Sequence, residues 1–152
     1  MKNRFILLLI LALFSIVSGV LISKMSFIGK VGITFLYDEY TILKSWWQTA
    51  LMLFVVQMGI FGLMYYFHFK QTAVLMRKIL PLILIVVGII GLYLTFIDFT
   101  ETSHRLMSTS FHMGFYLFWI TWFINCIYFL VLQKKERKLE AFHEIYQHES
   151  QE

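Results

Sequence analysis

The sequence predicts an all-α integral membrane protein: a four-helix transmembrane bundle with an amphipathic interfacial helix between its first and second spans. Three observations predict it. Apolar stretches at 5–23, 47–68, 79–97 and 111–133 are each close to the ~20 residues that a helix needs to cross roughly 30 Å of hydrocarbon. Charged residues make up 14% of the chain and hydrophobic residues 59%, whereas a soluble domain carries about 25% charged residues. Runs such as 6–13 and 83–90 are apolar at nearly every position, without the in–out alternation of a transmembrane β-strand. A helix then satisfies its own backbone in lipid.

Taken in order, the first span follows Lys2 and Arg4 as a signal peptide would, but its apolar run continues through Ile22. Ser18, Gly19 and Ser23 make no convincing cleavage site, so a retained helix is expected. Between the first two spans, Ile33, Leu36, Tyr37, Tyr40, Leu43 and Trp47 recur at helical spacing. Asp38, Thr41, Ser45 and Gln48 fall on the other side, which predicts an interfacial helix over about 33–45 with Trp46 and Trp47 at headgroup depth. The 70–78 connection is short and basic, and Pro81 is expected in the first turn of the third helix, where proline is tolerated. Past the fourth span, 134–147 is expected to continue as a helix. The chain therefore reads as one transmembrane domain, 1–138, and a charged tail, 139–152.

Lysine and arginine orient these spans. With the N-terminus in the cytoplasm, nine of them (Lys2, Arg4, Lys70, Arg77, Lys78, Lys134, Lys135, Arg137 and Lys138) are inside and four (Lys24, Lys30, Lys44 and Arg105) are outside, which predicts both termini inside. The net charge of +4 is then a topology signal that also meets anionic lipid, and no nucleic-acid partner is implied. Few alanines and many Phe, Ile, Lys and Tyr suit an AT-rich bacterial genome, so the expected location is a bacterial inner membrane. Cys126 is the single cysteine, which excludes an internal disulfide and a paired-thiol redox centre.

Small residues predict where helices meet, because close backbone approach substitutes for a hydrophobic drive that lipid does not supply. Ser15 and Gly19 mark the first helix, Gly59 and Gly62 the second, Gly88 and Gly91 the third, and Gly114 the fourth. Asn125 is expected to hydrogen-bond across an interface, since an amide facing acyl chains is costly.

The candidate site is the connection between the third and fourth spans. Asp98, Glu101, Thr102, Arg105, Ser108, Thr109 and His112 recur at three- and four-residue intervals, with 101–102 and 108–109 as adjacent pairs, one face if the segment is a single helix. His104 sits one position off that face. Asp38 and Glu39 belong to the same side of the membrane and are expected to complete the cluster. The simplest expectation is neutralisation, Arg105 pairing with Asp98 or Glu101. Glu101 and His104 have the spacing of a di-iron ligand pair, but a di-iron bundle needs two such pairs and further inward glutamates. His104 and His112 with a carboxylate are weak candidates for a divalent cation. No cofactor is expected. His68 and His112 are expected at opposite membrane faces, too far apart to hold one haem.

These residues predict a non-catalytic accessory or structural subunit of a larger membrane complex, with the bilayer and other membrane subunits as partners. A small membrane enzyme or cofactor binder using Asp98, Glu101, His104, Arg105 and His112 is the first alternative. An oligomeric transporter or channel is the second, and the scarcity of deep polar residues beyond Gln57, Thr121 and Asn125 disfavours it.

Overall fold

The computed structural model describes residues 2–25, 42–69 and 74–149. They form four long helices, α1 (Lys2–Ser23), α2 (Trp46–Phe69), α3 (Val74–Glu101) and α4 (Thr109–Glu149), with a 3-10 turn, Ser103–Leu106, between the last two. No strand occurs among the described residues. Asn3–Ser23, Trp46–Phe69, Met76–Glu101 and Thr109–Leu132 are each long and apolar enough to cross a membrane, as the sequence predicts. The proposed interfacial helix lies outside the described residues except at its end, where 42–44 form a single 3-10 turn.

One boundary differs from expectation. The third helix begins at Val74, so Arg77 and Lys78 sit on its opening turns and Pro81 lies well inside it rather than in its first turn. Pro81 has no N–H for the Arg77 carbonyl, and it is among the most fully buried side chains. A membrane helix tolerates this because neighbouring helices and local adjustment re-satisfy the freed group. The fourth helix is 41 residues long, about 60 Å at 1.5 Å per residue, so it projects well beyond any bilayer that it crosses.

The packing is asymmetric. Helix α1 runs antiparallel to both α2 and α4 and packs against each of them, while α3 packs mainly on α4, touches α2 lightly and does not meet α1. A third of the α1 and α2 spans is buried but 11% of the α3 span, which makes α3 a flanking helix on a three-helix centre. Two apolar clusters fill that centre. Leu7, Leu11, Ile60, Met64, Cys126 and Phe129 pack at the end that carries residue 2 and the α4 extension, here the terminal end. Ile22, Met25, Leu53, Phe99 and Phe111 pack at the opposite, hairpin end.

The polar side chains at depth are buried at the meeting of α1, α2 and α4. Ser15, Ser18, Gln57, Thr121 and Asn125 are all at most 3% exposed. Asn125 Nδ2 donates to the Gln57 carbonyl at 3.0 Å, as the cost of an amide in lipid predicts, and Gln57 Nε2 donates to the Phe118 carbonyl at 3.3 Å. These bonds tie α2 to α4 where lipid provides no hydrophobic drive for association.

Glycines set two of the close approaches. A Cβ at Gly19 would lie 2.6 Å from both the Ala50 nitrogen and the Trp46 carbonyl oxygen, so α1 and α2 touch backbone to backbone there. At Gly114 it would lie 2.6 Å from Ile22 Cγ1 and 2.9 Å from the Ser18 carbonyl oxygen, which brings α4 onto α1. Gly88 and Gly91 instead make room for the indoles of Trp122 and Trp119. Trp122 Nε1 donates to the Leu84 carbonyl at 2.8 Å, and Trp119 Nε1 to Thr95 Oγ1 at 3.0 Å. Gly59 and Gly62, which the sequence placed on a packing face, look outward, and a Cβ at either meets nothing within 4 Å. Spacing alone cannot say which side of a helix its neighbour occupies.

Candidate functional site

The 98–112 segment is a hairpin and not one helix, which changes the geometry of the predicted polar face. Helix α3 ends at Glu101, the 3-10 turn follows, and α4 begins at Thr109. Local side-chain bonds make the break. Thr102 caps the turn, its Oγ1 accepting from the His104 N–H at 3.1 Å, and Ser108 Oγ accepts from the Phe111 N–H at 3.3 Å, the geometry of a helix N-cap. Ser108 Oγ also donates to the Lys24 carbonyl at 2.6 Å, fastening the hairpin to the end of α1.

The turn brings His104 onto Asp98. Asp98 Oδ2 lies 2.8 Å from His104 Nδ1, with side chains 41% and 45% exposed. Thr102 Oγ1 sits 3.1 Å from the other Asp98 oxygen, Oδ1. The residue that pairs with Asp98 is thus the histidine expected off the face, and Arg105, expected to neutralise it, is exposed. The reason is the chain reversal after Glu101, which replaces helical neighbours with neighbours across a turn.

His112 completes the arrangement from the first turn of α4. Its Nε2 is 3.0 Å from the His104 carbonyl oxygen; a carbonyl can only accept, so Nε2 carries the proton. Its ring stacks on Phe99, centroids 4.3 Å apart and planes at 25°. By the same logic the Asp98 carboxylate, an acceptor, sets a proton on His104 Nδ1 and leaves Nε2 as the ring's other nitrogen. A carboxylate-supported imidazole of this kind can accept a proton or donate to a single cation. Among the described residues no three His, Cys, Asp or Glu side chains converge as a metal site would require.

Of the predicted cluster, Asp98, His104 and His112 are joined through side chain or backbone. Glu101 and Arg105 are exposed at its edge, and Asp38 and Glu39 lie outside the described residues. His68 is buried at the other end of α2, its ring edge-on to Phe129, about 25 Å along α4 from His112; the two are as far apart as expected. Sequence reasoning missed Phe99, the platform for His112, and the break itself. Its signal was present in Thr102–Ser103 and Ser108–Thr109, residue types that start helices rather than continue them.

Because the Asp98–His104 pair is nearly half exposed, it is worth at most about 1 kcal/mol. A His104→Ala variant is expected to keep its helical content and lose no more than that in a detergent unfolding titration. Loss of the folded state would instead make the pair structural.

The fold and its polar rim define a multi-pass, all-helical membrane protein. Comparison with protein-family models, with curated proteins and with solved structures finds no match.

Proposed function

We propose that the chain is a non-catalytic accessory or structural subunit of a larger assembly in a bacterial inner membrane, with both termini in the cytoplasm. The observation that carries this reading is how the polar groups are used. Asn125, Gln57, Trp119 and Trp122 spend their donors on helix-to-helix bonds inside the bundle. Helix α3 meanwhile sets Ile83, Val86, Ile90 and Leu94, each more than half exposed, on its outer side. Polar side chains here hold helices together, and the excess of Lys and Arg at the terminal end supports the orientation.

Extraction in a gentle detergent followed by co-purification mass spectrometry tests the proposal. The expected result is recovery with unrelated membrane polypeptides in fixed ratio; a lone, monodisperse monomer overturns it.

A second reading rests on the Asp98–His104 pair and the adjoining His112: a small enzyme or cation binder at the outer boundary. It expects elemental analysis to find a bound metal in the purified chain that disappears in a His104→Ala, His112→Ala variant. Retention by that variant removes these ligands from consideration.

A further inference from the structure

A groove runs between α1 and α4 from the terminal end toward the middle of the bilayer. It encloses about 450 Å³ and is walled by Ile6 and Ile10 of α1 and by Ile124, Ile127 and Val131 of α4. On each helix the lining covers one eight-residue stretch, 3–10 and 124–131, about 10 Å of rise, within the ~15 Å half-thickness of the hydrocarbon. Asn3 contributes a polar side chain at the outer end.

We propose that this groove holds an acyl chain of a phospholipid with an anionic headgroup, drawn from the leaflet at the terminal end. Two observations point to lipid. Apart from Asn3 and Tyr128 the walls are large aliphatic side chains, without glycine, alanine or serine, and a docking helix needs small residues to approach closely; a flexible chain does not. Ile6, Ile127 and Val131 are 47%, 51% and 60% exposed, so the groove is open to the bilayer along its length, and an empty cleft there forgoes the dispersion contacts that a chain would make.

Charge selects the headgroup. Lys2 immediately precedes Asn3, and α4 continues beyond Val131 through Lys134, Lys135, Arg137 and Lys138, with Glu136 the single acid among them. Arg4 is engaged elsewhere, its guanidinium 4.4 Å above the Phe69 ring. By chain order the other cations adjoin the lining at its terminal end, where the headgroup lies, and a basic run there favours negative charge. This inference is independent of whether the chain has protein partners.

The test is native mass spectrometry of the full chain in detergent, supplied in turn with phosphatidylglycerol and phosphatidylcholine. One phosphatidylglycerol is expected to stay bound where phosphatidylcholine washes off. Ile127→Trp, which fills the groove, is expected to abolish retention, while Ile120→Trp, on the same helix but outside the groove, leaves it unchanged. A Lys134→Gln, Lys135→Gln variant keeps the groove and is expected to weaken retention about thirtyfold; it carries the test if Ile127→Trp loses its circular dichroism. Equal retention of the two lipids, retention by Ile127→Trp with native helicity, or a polypeptide bound in place of lipid overturns the proposal.

Discussion

Gly19→Leu is expected to prise α1 away from α2 and to destabilise the bundle by about 3 kcal/mol. The added carbons would lie against the Ala50 nitrogen and the Trp46 carbonyl oxygen, each 2.6 Å from the Cβ, and these are main-chain atoms of a helix that cannot swing aside. Since α1 is the element packed on both α2 and α4, the damage spreads to the centre. An unfolding titration in mixed micelles followed by circular dichroism measures it. Gly62→Leu is the control: its Cβ meets nothing, and removing a glycine from an exposed helix position should change stability by no more than about 1 kcal/mol, in the stabilising direction. Equal losses at 19 and 62 would show that these glycines do not act through close packing.

Trp122→Ala is expected to release α3. Its indole fills the space left by Gly88 and donates to the Leu84 carbonyl at 2.8 Å, one of the two indole bonds that tie α3 to α4. Deleting a ring of this size costs about 3 kcal/mol. The loss should be local: hydrogen exchange in micelles is expected to quicken along α3 while the α1 amides keep their protection. Trp122→Phe retains most of the ring and gives up the indole donor, for which about 0.6 kcal/mol is expected. Uniform loss of protection across all four helices would mean that α3 is integral to the bundle rather than flanking it.

The rim shows where local pattern misleads. Polar residues spaced by three and four from Asp98 to His112 imitate one helix face, yet a solvent-facing segment satisfies that pattern equally well as helix, turn and helix. Thr102 and Ser108 decide the matter by bonding the backbone themselves, and the resulting turn exchanges an Arg105 partner for a His104 partner at Asp98. Asn125, by contrast, was readable in advance. A buried amide in an apolar helix must find a partner, and it found the Gln57 carbonyl.

By itself the sequence determined that four helices span a bilayer, because spanning is a sum over consecutive residues and the hydrocarbon thickness supplies the length. Only the tertiary structure decided which faces those helices cover. Lipid is as apolar as a neighbouring leucine, so an apolar span carries no local mark of its buried side. That is why Gly88 and Gly91 lie beneath tryptophans while Gly59 and Gly62, with like spacing, face outward, and why α3 lies at the flank of the other three.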